Sequence, residues 1–478
     1  MKKASIQYNI IFNVILTLSN IIFPLVTFPY VSRILNPSGM GVVNFYSSIG
    51  NYAILIATLG ISTYGIRVVA SVREDKSKLT KVVQELTLIN VLMAILVASL
   101  LLVSVLFVDK FQSEIGLVLI TATSIVTSAF SLNWLYSGLE QYDYITKRSI
   151  LFKVISLVLI FILVRKPSDY ILYAGITLFS SLGSNILNVF YSRKFISFVP
   201  TKGLTFRPHI KPMLYLFASM LAVNVYTNLD AVMLGFISGD VAVGLYSVAS
   251  KMKWLLLMLI TSASAVLLPR LTYHLSKKES HQFNKILSES SALILLIAVP
   301  LSVYFIFMAR DSVLLLGGDN YVDATTCMQI LMPILIISGF SNITGNQILI
   351  PHNKDKLFMI AVSVGACVNL ILNVFLMPPY GIVGAAIATL VAEATQMAIQ
   401  YYYSKEYLRG QISYVVIRNI VLSVVSASAT MCLIIGTLHF APLVNLALSA
   451  SLFFGVYLAV LIVLREENIL RFLKKAKV

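Results

Sequence analysis

Apolar residues occur in long runs along this chain, and polar residues recur inside the runs at helical spacing. The runs at 10–34 and 42–64 each exceed the about 20 residues with which an α-helix crosses a bilayer. Their polar stripes consist of Asn13, Thr17, Asn20 and Thr27 in the first run and of Asn44, Ser47, Ser48, Asn51, Thr58 and Ser62 in the second. Because hydrocarbon offers such groups no hydrogen-bond partner, we expect the stripes to line a water-filled cavity. Polar contacts that only hold helices together are the alternative.

Fourteen such runs predict an all-α polytopic membrane protein with about fourteen transmembrane helices. Of the 478 residues, 58% are hydrophobic and the mean hydropathy is +0.88, whereas soluble domains contain about 45–50% apolar residues. The predicted spans are 10–34, 42–64, 82–108, 115–137, 146–164, 170–192, 213–237, 240–268, 286–308, 324–350, 357–377, 381–403, 414–437 and 442–464. The longest predicted outer loop is 309–323, so no soluble domain is expected.

The distribution of positive charge predicts the orientation of these spans. With fourteen spans, the side of the termini holds 27 Lys and Arg residues in its loops, and the opposite side holds 5, including Arg33 at the end of the first span. Positive residues concentrate on the cytoplasmic side of membrane proteins, so both termini should be cytoplasmic. The net charge of +16 therefore indicates orientation and not a nucleic-acid partner. The first run lacks a small-residue cleavage site and should be a permanent anchor. The basic tail at 465–477 should be a surface anchor, with lipid-specific binding as the alternative.

A weak internal repeat predicts two similar lobes. Ser38-Gly39, Val43 and Tyr46-Ser47 have the same residue types as the positions 200 residues further along the chain. Repeated halves with a substrate site between them are common in transporters. The predicted domains are an N-terminal lobe at 1–192, a cytoplasmic loop at 193–212, a C-terminal lobe at 213–403, and a terminal helix pair with its tail at 404–478.

Four stretches resemble the Wzx-type polysaccharide repeat-unit flippases of bacteria, within the multidrug/oligosaccharidyl-lipid/polysaccharide exporter superfamily. They are FPLVTFPYVSRILNPSGMGVVNFYSSI at 23–49, NWLYSGLEQYDYITKRSI at 133–150, NLDAVMLGFISGDVAVGLYSVASKM at 228–252 with VLLPRL at 266–271, and NLILNVFLMPPYGIVGAAIATLVAE at 369–393. The resemblance implies two six-helix lobes around a central cavity. It implies alternating-access transport of oligosaccharides linked to undecaprenyl diphosphate across the bacterial cytoplasmic membrane, for synthesis of O-antigen, capsule or a related surface polysaccharide.

Other functions are less consistent with the sequence. No HExxH, GxSxG or P-loop motif is present, and Cys327, Cys367 and Cys432 are dispersed. We therefore expect no catalytic residues, no metal and no cofactor. A flippase for the lipid II-type peptidoglycan precursor and a cation-coupled multidrug exporter are the alternatives, and a polytopic glycosyltransferase or polymerase is a remote one. Expected partners are the lipid-linked substrate, membrane lipids, and a polysaccharide polymerase with its chain-length machinery.

Charged residues inside spans are the first candidates for function, because charge in a membrane is costly. Asp230 and Lys251 lie on consecutive spans, and Glu393 lies deep in the twelfth. For Asp230 and Glu393 we expect ion coupling or a charge pair. A structural ion pair between Asp230 and Lys251 is the alternative to a cavity-facing Lys251 that binds an anionic head group.

The remaining candidates would contact the substrate. Lys153, Arg33 and Arg67 suit a diphosphate, although cations near helix ends often only extend to the membrane interface. Asn224 and Asn342, like the amides of the first two spans, could exchange hydrogen bonds with sugar hydroxyls. The full set of predicted cavity residues is Arg33, Asn44, Asn51, Arg67, Lys153, Asn224, Lys251 and Asn342.

Overall fold

The structure of the protein is a computed structural model that describes residues 6–411, 413–435, 441–466 and 468–470. Throughout this part of the chain the regular secondary structure is helical, with no strand. Ten described helical runs are long and apolar enough to cross a membrane. The prediction of an all-α polytopic membrane protein is confirmed.

The chain forms two compact units, of which the first is Met1–Gly235. A 3₁₀ turn at Pro167–Asp169 precedes its eighth α-helix, and the ninth α-helix ends two residues beyond the unit. The helices are α1 (Ile6–Thr58), α2 (Ile61–Val72), α3 (Lys76–Ser104), α4 (Asp109–Ser113), α5 (Ile115–Ser128), α6 (Asn133–Gly138), α7 (Tyr142–Leu163), α8 (Tyr170–Ser192) and α9 (Arg207–Ile237).

The second unit is Phe236–Val478. Besides its α-helices it contains a 3₁₀ turn at Asp319–Tyr321 and a π-helix at Asn342–Leu349. The α-helices are α10 (Asp240–Ser276), α11 (Ser280–Phe307), α12 (Ala309–Gly317), α13 (Ala324–Leu331), α14 (Ile334–Ser341), α15 (Asp355–Leu408), α16 (Tyr414–Ile435) and α17 (Pro442–Val463).

The first two predicted spans, 10–34 and 42–64, form one kinked element in the structure. Helix α1 continues through both predicted spans and is interrupted at Asn36, whose φ of 58° and ψ of 173° are not helical. Pro37 follows, and proline suits the first turn of a new helix because its missing N–H would have no partner there. The second span ends at Leu59 and Gly60, which both have positive φ, so residues 61–64 belong to α2.

Helix α15 contains a tight hairpin at Gly381. Gly381 has a φ of 52°, in the left-handed region that glycine adopts without strain. A Cβ on Gly384 would overlap the backbone carbonyl oxygen of Leu376, although residues eight apart in a straight helix are separated by about 12 Å along the axis. A Cβ on Gly365 would lie 3.2 Å from the carbonyl of Ala392. The two arms are therefore antiparallel, as expected for the separate predicted spans 357–377 and 381–403.

Two other predicted spans are candidate membrane spans in the structure, at Ile115–Gly138 and Ala324–Leu349, but neither is one continuous α-helix. The span at 115–137 is interrupted at Leu132, whose φ is 44°, and the span at 324–350 is divided into α13, α14 and the π-helix. Apolar periodicity continued across both interruptions, so it did not reveal them. The predicted loop at 309–323 is mostly helical, since α12 and a 3₁₀ turn occupy it and Tyr321 is completely buried.

The division into units differs from the predicted lobes, because α9 contacts the first unit. A Cβ on Gly60 would lie 2.9 Å from the carbonyl of Met213. Near the start of α9, the ring nitrogens of His209 lie 2.8 Å from the hydroxyl of Tyr64 and 2.9 Å from a carboxylate oxygen of Glu85. The boundary between the two units accordingly falls between residues 235 and 236 of the chain. The predicted lobe boundaries and the repeat stay predictions.

The stretch at 133–150 forms a buried polar cluster that joins three helices. Arg148 on α7 is 5% exposed. Its guanidinium donates to the side-chain oxygen of Asn133 on α6 at 2.9 Å and to that of Asn188 on α8. The hydroxyl of Tyr136 donates to the backbone carbonyl of Asn188. This part of the family resemblance therefore has a structural role in the fold.

The last two helices pack against each other and against α11. The hydroxyl of Tyr304 on α11 donates to the carbonyl of Leu446 on α17 at 2.8 Å, and it lies 2.9 Å from Ser449. The hydroxyl of Tyr457 on α17 donates to the carbonyl of Leu296 at 2.9 Å. These bonds between buried groups fix α17 on the second unit.

The substitution Gly384→Ala tests the hairpin. Because the added methyl would overlap a backbone carbonyl, we expect the free energy of unfolding to fall by about 1–3 kcal/mol, as overpacking does elsewhere. Thermal denaturation of the detergent-solubilised protein, followed by size-exclusion chromatography, measures the change. Gly455→Ala is the matched control, since Gly455 is exposed on α17 with open space around it. Equal melting temperatures for the two variants would contradict the hairpin geometry.

Candidate functional site

Two adjoining polar cavities lie in the first unit, among α1, α5, α7 and α8. One has a volume of about 250 Å³ and the other about 140 Å³, and Thr177 on α8 lines both. Polar residues of the larger cavity are Asn20, Thr27, Lys153, Ser156, Tyr173, Thr177 and Ser180. Polar residues of the smaller cavity are Tyr46, Ser47, Asn51, Thr121, Ser124, Thr177 and Ser181. Members of both predicted stripes thus line cavities, as the spacing of polar residues indicated.

Lys153 on α7 is the cation of the larger cavity. Its ammonium donates to the hydroxyl of Ser19 at 2.8 Å and to the side-chain oxygen of Asn20 at 2.5 Å. It also lies 5.8 Å from the centre of the Phe23 ring. Both acceptors are neutral, and among the described residues no carboxylate lies within 4.0 Å of this ammonium. Lys153 therefore lines a cavity whose other polar groups are hydroxyls and amides.

The second polar stripe meets α9 within the first unit. The Asn51 side-chain amide donates to the side-chain oxygen of Asn228 at 3.3 Å. Asp230, two residues further on, is 5% exposed and interacts electrostatically with Tyr52. Asn44 is half-buried and lines neither cavity, and its side-chain nitrogen has no hydrogen-bond partner among the described residues.

Polar residues of the second unit form a packed network. Glu393 is 5% exposed and accepts a hydrogen bond from Ser338 at 3.1 Å. Within the π-helix, the hydroxyl of Thr344 donates to the side-chain oxygen of Gln400 at 3.0 Å. Asn342, the first residue of that helix, is 8% exposed. That Asn342 and its neighbours add to a cavity stays a prediction.

The other predicted cations lie outside the linings of the two cavities. Arg33 on α1 and Arg67 on α2 are exposed. Lys251 belongs to the second unit, where it is half-buried and lies 5.1 Å from the ring centre of Trp254. The side chain of Asn224 is outside the described residues. Lys153 lines the larger cavity together with Asn20 and Thr27 of the first stripe.

Sequence reasoning missed the polar face of α8. Thr177, Ser180 and Ser181 line the two cavities, and their spacing of three and four residues places them on one helical face. The serines and the threonine within TLFSSLGSN were the available signal. We overlooked it because small hydroxyl residues are common in transmembrane helices, where their hydroxyls bond to carbonyls of the same helix. Thr177 does this as well, at 2.7 Å from the carbonyl of Ala174.

Solved structures share the fold. A structure described as "Lipid II flippase MurJ, inward closed conformation" has a TM-score of 0.72 and 17% sequence identity, covering 94% of this chain and 98% of its own. A multidrug resistance MATE family transporter of the MOP superfamily has a TM-score of 0.63 and 12% identity, covering 81% and 94%. The fold is therefore that of polytopic helical transporters of this superfamily.

The family follows from the sequence comparison. The polysaccharide biosynthesis protein family matches residues 6–275, and the MatE family matches residues 216–399. The chain belongs to the polysaccharide biosynthesis protein family, and the resemblance recognised from its four stretches is confirmed. The "Putative O-antigen transporter" of Escherichia coli K12 is 24% identical over 393 residues, covering 82% of this chain and 94% of that protein.

Thr177→Cys tests the cavities. In a variant whose three native cysteines are replaced by Ala, we expect a membrane-impermeant, charged methanethiosulfonate reagent to modify this cysteine, because Thr177 lines both cavities. Labelling is measured by the mass shift of the intact protein in membrane vesicles. Phe179→Cys is the control, since Phe179 is 47% exposed on the same helix but lines neither cavity and should face lipid. Labelling of Phe179→Cys alone would contradict the assignment of the cavity.

Proposed function

We propose that the protein is a flippase that moves undecaprenyl-diphosphate-linked oligosaccharide repeat units across the bacterial cytoplasmic membrane by alternating access. The observation that carries this proposal is Lys153, whose ammonium is held by neutral acceptors in a polar cavity. Family membership and the similarity to an O-antigen transporter over most of both chains support it. This transport would supply repeat units for the synthesis of a surface polysaccharide.

The lining of the cavities suits a sugar diphosphate. A phosphate oxygen could replace Asn20 or Ser19 as the acceptor for the Lys153 ammonium, and a charge-assisted bond is stronger than a neutral one. Hydroxyl and amide groups at Asn51, Thr177 and Ser181 could exchange hydrogen bonds with sugar hydroxyls at small net cost. The lipid tail would stay in the bilayer. Arg33, Arg67, Lys251, Asn44, Asn224 and Asn342 stay predicted substrate contacts.

Buried carboxylates provide candidates for coupling to an ion gradient. Asp230 and Glu393 are each 5% exposed, and ionisable groups at membrane depth commonly serve transport. We propose one or both as coupling or charge-pairing groups. The protein would lie in the membrane with both termini in the cytoplasm, delivering substrate to a polymerase and its chain-length machinery.

Deletion of the gene tests the function. If the proposal is right, surface polysaccharide is lost and lipid-linked repeat units accumulate on the cytoplasmic face. Normal polysaccharide together with raised drug sensitivity would instead identify a multidrug exporter. Loss of peptidoglycan precursor flipping would identify a lipid II flippase, which shares the fold. Repeat units that reach the outer face but are not polymerised would point to an enzyme.

Substitution of Lys153 tests whether transport needs its charge. We expect Lys153→Met to lower repeat-unit transport about 10- to 100-fold, since a hydrogen bond to a charged group contributes about 1.5–3 kcal/mol. Lys153→Arg retains the charge and should keep more activity. Transport is measured as polysaccharide restored to the deletion strain, normalised to the amount of protein in the membrane.

Lys147→Met is the matched control for that experiment. Lys147 lies on the same helix, with a side chain that is 67% exposed and 3.9 Å from Asp143, and it lines neither cavity. Its substitution should leave transport within about twofold of the unmodified protein. Full activity of Lys153→Met would disprove the electrostatic role of the cavity.

A further inference from the structure

The segment that joins α8 to α9, residues 193–206, is basic and has an exposed apolar tip. It contains three Lys or Arg residues and no Asp or Glu. At its tip Phe198 is 52% exposed and Val199 is 72% exposed. The charge distribution of the chain predicts that this segment lies on the cytoplasmic side. Two adjacent large apolar side chains that a loop presents to solvent gain free energy if another surface covers them.

Hydrogen bonds from α3 hold this tip in place. The side-chain amide of Gln84 donates to the backbone carbonyls of Ser197 at 3.1 Å and Val199 at 2.8 Å. The side-chain oxygen of Gln84 accepts from the backbone N–H of Thr201 at 2.9 Å. One side chain thus binds the backbone on both sides of Phe198. Because a fixed backbone has little conformational freedom left to lose, the exposed tip is prepared for binding.

The tip continues the exposed apolar surface of α8. Helix α8 belongs to the candidate membrane span Pro167–Ser192, and near its end Phe190 is 57% exposed. The guanidinium carbon of Arg193 lies 5.2 Å from the ring centre of Phe190 and 5.4 Å from that of Phe198. Two aromatic rings therefore flank one cation at the end of the span. Aromatic rings concentrate at this depth, where the membrane meets water.

The charge of the segment suits an anionic lipid surface. Arg193, Lys194 and Lys202 are exposed, and the cytoplasmic leaflet of a membrane is negatively charged. An Arg guanidinium can lie against an aromatic ring and still bind phosphate oxygens with its N–H groups. A protein partner fits this tip less well, because one aromatic side chain buries about 150–250 Å², whereas a stable protein interface needs about 1,000 Å² or more.

We propose that residues 193–202 anchor this segment to the inner leaflet of the membrane. Phe198 and Val199 would insert at the edge of the hydrocarbon, and Arg193 and Lys202 would bind the phosphate groups of anionic phospholipids. The segment would then be held from two sides, by α3 and by the membrane. The start of α9 follows directly, so its level relative to the membrane would be fixed as well. This anchor does not depend on which substrate is transported.

Spin labelling of the full-length protein tests the anchor. A nitroxide is attached to Val199→Cys in a variant whose three native cysteines are replaced by Ala. The purified protein is reconstituted in vesicles of phosphatidylcholine that contain phosphatidylglycerol. We expect the label to collide more with oxygen, which concentrates in the bilayer, than with a water-soluble nickel complex.

Ser280→Cys is the control for this measurement, because Ser280 is exposed and follows the polar run at 277–279. Its label should collide more with the nickel complex. Equal nickel accessibility at the two positions would overturn the proposal. Shielding of the Val199→Cys label from both reagents would also overturn it, since that result indicates packing against protein.

Neutralising the cations tests their contact with anionic lipid. The spectrum of the Val199→Cys label gives the ratio of inserted to water-exposed tips. Phosphatidylglycerol should raise this ratio about fivefold or more over pure phosphatidylcholine, because each cation near an anionic surface contributes about that factor. R193Q/K202Q should remove the rise.

The charge-matched control is K277Q/K356Q, which removes two exposed lysines that lie outside the segment and should keep the rise. Each variant is first shown to be monodisperse by size-exclusion chromatography. A rise that R193Q/K202Q leaves unchanged would overturn the assignment of these cations to anionic lipid.

Discussion

Hydrocarbon supplies no hydrogen-bond partner, and this constraint determines where the helices of this protein can be interrupted. Asn36 and Gly381 lie outside the helical region, and each interrupts an element of more than fifty residues. Both interruptions lie at the ends of predicted spans, since Asn36 falls between the first two spans and Gly381 begins the twelfth. Leu132 interrupts a predicted span at its other end, next to the cluster of hydrogen bonds around Arg148. At these three positions the backbone therefore leaves the helix at the end of a predicted span or beside polar side chains.

Polar side chains within the helices follow the same constraint in two ways. In the first unit, hydroxyl and amide groups line cavities around Lys153 and Thr177. In the second unit, Glu393 and Gln400 are buried among hydroxyl groups that bond to them. A cavity lets a polar group exchange its partner for a ligand, whereas a packed network fixes the helices that carry it. The first arrangement suits a binding site, and the second holds its helices together around the proposed coupling group Glu393.

Sequence periodicity predicted the spans and the first stripe, because both depend on local residue order. It also placed the α15 hairpin, because two prolines and a glycine there leave few backbone alternatives. It did not predict the partners of Lys153, Ser19 and Asn20, since these depend on which helices pack together. The partner of Glu393 was inaccessible for the same reason, because Ser338 lies 55 residues away in sequence. No glycine or proline lies next to Leu132, so the sequence did not indicate the interruption there.

The neutral partners of Lys153 have an electrical consequence. Because Ser19 and Asn20 bring no compensating charge, a protonated Lys153 gives the empty cavity a net positive charge. Moving one elementary charge through the full membrane potential involves about 2.3 kcal/mol per 100 mV. A bound anionic group would cancel or reverse that charge. The voltage across the membrane would therefore act in different directions on the empty and the loaded protein, and it could distinguish the return step from the transport step.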